Sequence, residues 1–476
     1  MKIVTMIFTS ILLLFSLLPT LIFTQTNHTS QSKPLVFTHV TVIDATGAPP
    51  NPDMTVVITG DRITNLGKTG KIRVPKGAQV VDGSGKFLIP GLWDMHIHLS
   101  LTAESTLPAF IANGVTGVRD MGGDLSQIDG WRKSIASGLL IGPRIVRAGP
   151  FVDGPKKTAM YRLTVNNPAE ARQAVISLKQ QGVDFIKVHN RVPRDAYFAL
   201  ADESRKQSIT FVGHIPRGIS AEEASEAGQR SIEHTETLIE AAAFQQGSTA
   251  KSPEQALASY TDERRKALFA LFVKNGTWYC PTLIEYRNFS FETDPSVLDD
   301  PRQKYLAPVT KEYIEKFFPV PPRNTPVEQY AGRRALFQRL LGLIGEMQRA
   351  GVGILAGTDP PARGVFPGFS LHDELALLVQ AGLTPMEALQ AATRNPAKFL
   401  GKLDSFGTSE TGTIADLVLL EANPLENIQN TRRVAAVVFG GRLILKPELQ
   451  MMLDKVESMS ISTGISLTVW TTPVGS

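Results

Sequence analysis

The sequence predicts an α/β protein, a (β/α)₈ TIM barrel with a small β-sandwich domain built from both ends of the chain. Between residues 90 and 401, short apolar strand-like runs alternate with helix-like segments, which is the pattern of a parallel sheet with covering helices. The flanking segments, 34–89 and 402–447, consist of short β-prone runs separated by turn residues. Titratable polar residues recur where the central strand-like runs end, at the face where such barrels carry their active sites.

The first segment of the chain has the features of an export signal. Lys2 precedes an apolar run over residues 3–23, and a polar stretch of Thr, Asn, Gln and Ser follows over residues 24–33. This order is typical of a secretory signal peptide, which we predict over residues 1–30, and it predicts an exported protein in the periplasm or outside the cell. The alternative is an uncleaved membrane anchor, because the run reaches the roughly 20 residues that span a bilayer. If the leader is cleaved, no stable membrane association is expected.

Eight strand-like runs form the predicted barrel of residues 90–401, at spacings that fit eight β/α units. They end near His98, Asp120, Ala148, His189, His214, His234, Thr282 and Thr358. Capping residues predict helices over 168–181, over 221–227 and after Thr384. Residues 286–329 are too long for a simple connection and predict either a lid or a surface decoration. Residues 448–476 are predicted to be a peripheral C-terminal tail.

Composition and charge narrow the function classes. The chain is 42% hydrophobic and 20% charged, which is ordinary for a globular protein. The formal net charge of +4 comes without a basic run, so nucleic acid is not an expected partner. The single cysteine, Cys280, excludes an internal disulfide, and its apolar surroundings predict a buried residue rather than a nucleophile. The expected partner is a small-molecule substrate, and a homo-oligomer is left open.

A metal site is predicted around His96 and His98. The two residues are two positions apart on a strand, so their side chains point to the same side. Two neutral imidazoles on one wall are a natural start for a divalent metal site. Other strand-like runs end on further candidates, namely Lys187, His214, His234 and Asp359. Each of these alone has a structural interpretation, such as a helix cap for Asp359, but together they predict one constellation at the mouth of the barrel.

The sequence resembles the amidohydrolase superfamily, in the branch of imidazolonepropionase-like and prolidase-like hydrolases. The segments that carry the resemblance are PGLWDMHIH at 90–98, GVTGVRD at 114–120, IKV at 186–188, GH at 213–214, IEH at 232–234, GTD at 357–359 and GTIADLV at 412–418. It covers about residues 35–445, so both flanking segments and the predicted barrel belong to it. Together the motifs are specific for the superfamily and much less specific for a substrate.

The resemblance implies a metal-dependent hydrolase of amide-type C–N bonds, an amidohydrolase. Its implied metal ligands are His96, His98 and Asp359 for one ion, His214 and His234 for a second, and Lys187 as a bridging carbamate formed with CO₂. Zinc is the default metal for such ligands, with Mn²⁺ and Co²⁺ as alternatives. A metal-activated hydroxide would attack the carbonyl, with Asp359 as general base and then general acid. The alternative is a single-metal site with Lys187 neutral.

Substrate contacts are predicted from position alone. The candidate side chains are His189, Tyr286, Arg119 and His372, with a structural role as the alternative for each. Arg119 is expected either to brace the site or to contact a substrate carboxylate. Three loop arginines could clamp a carboxylate, namely Arg191, Arg217 and Arg363. Such a clamp would suit a dipeptide or an N-acyl amino acid. The alternatives are a cyclic amide or lactone hydrolase and, in a different class, a non-catalytic barrel scaffold. A scaffold predicts eroded ligands, whereas every expected ligand is present.

Overall fold

The computed structural model of the protein describes residues 33–155, 160–244, 248–320 and 327–462. The predicted signal peptide at 1–30 and the last residues of the predicted tail lie outside these ranges. None of the helices in the described ranges has the length and apolar character needed to cross a membrane.

The strands fall into a terminal group and a central group. They are β1 (Leu35–Val42), β2 (Asn51–Thr59), β3 (Arg62–Lys68), β4 (Gln79–Asp82), β5 (Phe87–Pro90), β6 (Leu92–Ile97), β7 (Val115–Asp120), β8 (Arg144–Arg147), β9 (Phe151–Asp153), β10 (Arg162–Thr164), β11 (Ile186–Val188), β12 (Phe211–Gly213), β13 (Ser231–Glu233), β14 (Trp278–Cys280), β15 (Leu417–Leu420), β16 (Val434–Phe439) and β17 (Arg442–Leu445).

The helices lie mostly between the central strands and after them. They are α1 (Leu99–Thr102), α2 (Leu107–Ala112), α3 (Leu125–Ala136), α4 (Pro168–Gln180), α5 (Arg194–Lys206), α6 (Ala221–Glu226), α7 (Thr237–Phe244), α8 (Pro253–Ala258), α9 (Asp262–Asn275), α10 (Leu283–Ser290), α11 (Pro295–Leu298), α12 (Pro308–Phe317), α13 (Val327–Arg349), α14 (Ser370–Gln380), α15 (Pro385–Ala391), α16 (Arg394–Phe399) and α17 (Lys446–Ser462). Short 3₁₀ turns occur at Glu104–Thr106, Pro301–Tyr305 and Ile428–Arg432.

Both ends of the chain contribute to one eight-stranded sheet. Its order is β17-β16-β15-β5-β1-β2-β3, and β4 pairs with β1. The C-terminal strands join through β15, where Leu417 lies opposite Pro90 of β5. The far strand β3 bonds back toward β15, since the Ile63 amide donates to the Thr413 carbonyl at 3.0 Å. The sheet has a hydrophobic core of its own that includes Phe37. The arrangement of this sheet as a two-layer sandwich stays a prediction.

The middle of the chain forms two parallel sheets, which confirms the predicted α/β class. One sheet has the order β6-β7-β8, and the other has the order β10-β9-β11-β12-β13-β14. Seven strands end within one or two residues of the predicted positions. The eighth predicted strand, ending near Thr358, is instead a single backbone bridge between Ile354 and Tyr279. The sequence did not predict β9 and β10, which follow β8 and pair in the sheet beside β11.

The predicted helix starts agree with the structure. Asn167 accepts a hydrogen bond from the Glu170 amide and caps α4, and capping boxes open α6 and α15. The region 286–329 contains most of α10, all of α11 and α12, and the start of α13. The predicted peripheral tail is partly wrong, because its described part is the helix α17. Leu449, Met452 and Val456 of this helix are buried.

Candidate active site

A cavity of about 320 Å³ opens where the parallel strands end; we call it the site cavity. Five of the six predicted metal ligands line it, namely His98, Lys187, His214, His234 and Asp359. The sixth, His96, is completely buried, and its ring centroid lies 4.5 Å from that of His234. The structure therefore brings together the side chains that the sequence spread over about 260 positions.

His96 and His98 each have one ring nitrogen anchored and the other directed to Asp359. The Nδ1 of His96 lies 3.1 Å from a Glu233 carboxylate oxygen, and the Nδ1 of His98 lies 3.0 Å from the Gly122 carbonyl. Both partners are acceptors, so each Nδ1 carries the proton and each Nε2 keeps its lone pair. The two Nε2 atoms lie 3.6 and 3.4 Å from Oδ1 of Asp359. Histidines that ligate metals have this form of support.

Close backbone packing places Asp359 beside β6. Its amide donates to the His96 carbonyl at 2.7 Å. A Cβ at Gly357 would lie 2.8 Å from the Cβ of His96 and 2.6 Å from the sulfur of Cys280, so only glycine allows this approach. Asp359 itself has a φ of 61°, and His234 has one of 69°. Left-handed backbone at two non-glycine residues of one cavity is typical of a functional site.

Lys187 lies on β11 as a buried amine without a partner. Its side chain is 1% exposed, and Nζ forms no hydrogen bond within the described residues. Burial lowers the pKa of Lys187 to about 8, although Glu233 and Asp359 act in the opposite direction. Burial also raises the pKa of Asp359 to about 7, against the opposing charge of Lys187. The site therefore increases the fraction of uncharged Lys187 near neutrality and gives Asp359 a carboxyl group that exchanges protons there.

The imidazoles of the site pack against one another. The ring of His214 lies 4.3 Å from that of His189 and 4.5 Å from that of His234, centroid to centroid. Burial lowers the pKa of His98 to about 4 and holds the pKa values of His96, His214 and His234 well below the usual range. Neutral imidazole is the form that binds metals.

The donor set fits divalent metal ions. The ligand atoms of His96, His98 and Asp359 all lie within 4.8 Å of one another. Among the described residues, buried nitrogens of His96, Lys187 and His214 have no hydrogen-bond partner. An unsatisfied buried nitrogen is costly, and metal coordination at this donor set would remove that cost.

Arg119 does not line the site cavity, so the structure does not place it as a substrate contact; its contacts are those of its other predicted role, a brace of the site. It is fully buried, and its guanidinium donates to Glu233 at 2.8 Å and to Ser231 at 3.0 Å. Its Nε also donates to the Met95 carbonyl at 2.6 Å. Arg119 therefore holds Glu233, which in turn holds His96. The pairing of Arg119 with Glu233 could not be predicted from the sequence, because the two residues are 114 positions apart.

Asp94 is a second supporting residue that sequence reasoning did not assign. One carboxylate oxygen accepts from the amides of His96, at 3.2 Å, and Thr358, at 3.1 Å. The other accepts from the Thr358 hydroxyl at 2.5 Å. Asp94 thus fastens β6 to the backbone that carries Asp359. Its position two residues before His96, on the same side of the strand, was the available signal.

The other predicted substrate contacts divide between two cavities and the core. His189 lines the site cavity, with Nδ1 3.3 Å from Asp153 of β9. Tyr286 lines an adjoining cavity of about 400 Å³, which we call the aromatic cavity. His372 lines neither cavity; it is buried on α14 with Nδ1 3.0 Å from the Thr431 hydroxyl. His372 lies on the buried face of α14, so its side chain points into the core and not toward the strand ends.

The three loop arginines do not form a carboxylate clamp in the site cavity. Arg191 and Arg217 are exposed and do not line it, and the guanidinium of Arg217 lies 4.5 Å from the ring centre of Phe244. Arg363 lines the aromatic cavity, where its Nε donates to the Phe318 carbonyl at 2.9 Å.

Cys280, which was predicted to be a buried residue, is buried in β14.

Two acidic residues line both cavities and were not assigned from the sequence. Glu236 follows β13 and Glu285 lies in the first turn of α10. Burial raises the pKa of Glu236 to about 8 and the pKa of Glu285 well above its usual value. The sequence signal was weak, because each residue precedes or occupies a helix start where acidic residues are common for capping.

A sequence model of the amidohydrolase family matches residues 87–444. The chain therefore belongs to the amidohydrolase family, which confirms the predicted resemblance, and it is an enzyme that acts on carbon–nitrogen bonds. The ochratoxinase of Aspergillus niger is 24% identical over 426 residues, which cover 76% of each chain.

Solved structures share the fold of this chain at lower identity. A bottromycin amidohydrolase is 22% identical with a TM-score of 0.71, over 89% of this chain and 90% of that one. An Xaa-Pro dipeptidase is 22% identical with a TM-score of 0.64, over 87% of this chain and 100% of that one.

Proposed function

We propose that this protein is a two-metal hydrolase of a small amide, with a dipeptide or an N-acyl amino acid as substrate. The observation that carries the proposal is the compact set of His96, His98 and Asp359, whose ligand atoms lie within 4.8 Å of one another beside the unpartnered amine of Lys187. The name of the similar Xaa-Pro dipeptidase supports a dipeptide, and the family as a whole supports an amide-type bond.

The proposed scaffold is a closed (β/α)₈ barrel. Backbone hydrogen bonds support it where the two parallel sheets approach each other. The Asp184 amide, before β11, donates to the Arg147 carbonyl of β8 at 2.9 Å. At the other junction, the Leu355 amide donates to Tyr279 at 2.8 Å and the Met95 amide donates to Ala356 at 2.9 Å. These bonds would complete the ring of strands through residues 353–358, the predicted eighth strand.

The proposed ligands divide into two groups joined by a lysine. His96, His98 and Asp359 would hold one ion, and His214 and His234 would hold the other, with zinc as the default metal. When bound, the metals supply Lewis acidity that lowers the pKa of water and polarises a carbonyl. Asp359, whose pKa burial raises to about 7, would accept the proton of the attacking water and deliver it to the leaving amine.

Lys187 is proposed to join the two groups as a carbamate. Its lowered pKa, about 8, increases the fraction of free amine at neutral pH. A free amine adds to CO₂ and releases one proton, which gives an anionic group with two oxygen ligands. An ammonium ion beside two dications would instead be repelled.

We also propose that the protein is exported, and the only support for export is the signal-peptide pattern of residues 1–30.

A hydrolysis screen with zinc-loaded protein tests the function. The panel contains dipeptides, N-acyl amino acids, cyclic amides and lactones. We expect turnover of open-chain amides that is lost on chelation and restored by metal. Turnover confined to lactones or cyclic amides would overturn the open-chain proposal in favour of ring opening. Absence of hydrolysis across the whole panel would overturn the proposed substrate class.

A further inference from the structure

Glu236 and Glu285 form a pair of carboxylates on the wall between the two cavities; we call them the acidic pair. They follow the neighbouring parallel strands β13 and β14, so the fold itself brings them together. One ligand atom from each lies within 4.8 Å of the other and of a His234 ring nitrogen. The acidic pair is therefore next to the proposed metal centre and also faces the aromatic cavity.

The acidic pair has no counter-charge in the part of the chain that the structure describes. The Oε2 atoms of Glu236 and Glu285 are buried without a hydrogen-bond partner, and neither residue forms an ion pair there. By contrast, Glu292, the third acid of the aromatic cavity, is paired with Arg333. Buried carboxylates normally have a donor or a cation. The missing partner of the acidic pair would be a positively charged group that enters from the cavity.

The walls of the aromatic cavity suit an organic group rather than a bare ion. Tyr286 is only 8% exposed, and its hydroxyl forms no hydrogen bond within the described residues although it lines this cavity. Phe289 and Phe317 lie at the rim and are 42% and 47% exposed, which is unusual for phenylalanine. Aromatic faces attract ammonium groups and pack against apolar side chains. A volume of about 400 Å³ also exceeds what a metal ion requires.

We propose that the acidic pair binds the free amino terminus of a dipeptide substrate, with the bulky apolar side chain of its first residue in the aromatic cavity. The inference rests on the proposed function. The amino terminus of a dipeptide is only a few bonds from the scissile carbonyl, and the acidic pair lies within 4.8 Å of a ring nitrogen of His234, a proposed metal ligand. It narrows the substrate class, since an N-acyl amino acid lacks this ammonium group. Tyr286 is then a substrate contact, through a hydroxyl that accepts from the ammonium group.

The test compares two substrates that differ in one group. Zinc-loaded protein is assayed with phenylalanyl-alanine and with phenyllactyl-alanine, in which a hydroxyl replaces the ammonium group. Charge-assisted hydrogen bonds predict that kcat/KM favours the dipeptide by about tenfold or more, mainly through KM. We expect E236Q/E285Q to lose this preference. The matched control is E226Q/E263Q, which removes two exposed carboxylates from α6 and α9 outside both cavities and should keep the preference.

A binding measurement separates failure of the subsite from failure of the proposed function. Calorimetry compares phenethylammonium with 2-phenylethanol on zinc-loaded wild type and E236Q/E285Q, at equal zinc content and thermal midpoint. Tighter binding of the cation that disappears in the double variant supports the subsite, even if neither amide is hydrolysed. Equal binding of both probes to the wild type, or a cation preference that survives in E236Q/E285Q, would overturn it. If excess zinc abolishes the preference of the wild type for phenethylammonium, the acidic pair binds a metal ion instead of an ammonium group, and the proposal is overturned.

Discussion

The two ring nitrogens of His96 have different contacts. Arg119 holds Glu233, and Glu233 accepts the Nδ1 proton of His96, so that Nε2 faces Asp359 with its lone pair free. The two supporting side chains and His96 itself are completely buried, which fixes their rotamers by packing. A substitution of Arg119 or Glu233 would therefore affect the proposed metal site without removing any of its ligands.

Replacement of Asp359 tests its proposed role in proton transfer. Asp359→Asn removes the group that exchanges the proton but keeps the size of the side chain and one oxygen ligand. We expect turnover to fall by at least about 10²–10⁴-fold, the usual contribution of a general acid–base group. Substantial metal should remain bound, as measured by elemental analysis of the purified variant. Unchanged turnover in Asp359→Asn would contradict its assigned role.

Residue types at strand ends located the side chains that lie together at the site cavity, but not the residues that support them. His96, His98 and Lys187 are predictable because a strand alternates its side chains and a parallel sheet collects the ends of its strands at one edge. Arg119 and Glu233 are not, because their pairing depends on packing between strands far apart in sequence. His372 was assigned to the cavity from its place after the last strand, whereas the turn of α14 directs it into the core.

At the scale of elements, the segment 353–358 and β6 must approach closely to bring Asp359 to the histidines. Gly357→Ala would place a methyl group within 2.8 Å of His96 and 2.6 Å of Cys280. We expect weaker zinc binding and a loss of about 1–3 kcal/mol in the free energy of unfolding, the usual range for overpacking. Zinc titration and urea unfolding measure the two effects.

The chain offers a matched control for this substitution. Gly342 lies in α13, and a Cβ there would meet nothing within 4 Å. Gly342→Ala should leave zinc affinity unchanged and stabilise the protein by about 0.5–1 kcal/mol, because alanine is the better helix former. Equal behaviour of the two alanine variants would refute the importance of the close approach at Gly357.

Elements with a strong local signal were predictable. Apolar runs that end in polar residues located seven central strands, and Ser220 and Thr384 located helix starts through their capping boxes. β9 and β10 have three residues each, like the predicted strands β11 to β14, but Gly149-Pro150 and Gly154-Pro155 enclose β9 and are typical of a loop. Asp153, which supports His189, was missed for this reason.

At the scale of the whole molecule, stability should depend on pH through buried histidine. Burial lowers the pKa of His372 to about 3, from 6.5. Between these values the unfolded state binds a proton that the folded state does not. The contribution of neutral His372 to the free energy of unfolding is therefore fully present above about pH 6.5 and is lost as the pH drops toward 3.

His372→Gln keeps a donor for Thr431 and removes this titration. We expect the wild type to lose stability more steeply than the variant between pH 7.5 and pH 5, by urea unfolding of metal-free protein. Metal-free samples are used so that release of metal does not contribute to the slope. Parallel pH profiles of the two proteins would show that His372 does not titrate in this way.

The joining of the two chain ends was predictable in outline, because both have the same β-rich composition. The order of the eight strands was not, since it depends on the antiparallel pairing of β15 with β5 across more than 300 positions. Asp416, just before β15, also accepts from Arg144 of β8 at 2.6 Å and so ties this sheet to the central strands. Such contacts follow from the assembled molecule rather than from any one segment.

The metal content of the protein tests the proposed metal centre at His96, His98 and Asp359. After zinc supplementation and dialysis, elemental analysis should find two tightly bound ions per chain in the wild type. His96→Asn/His98→Asn should lose at least one of them, whereas His39→Asn, at a surface histidine paired with Asp53, should lose none. Fewer than one bound ion per wild-type chain, or equal content in all three proteins, would contradict a metal centre at these residues.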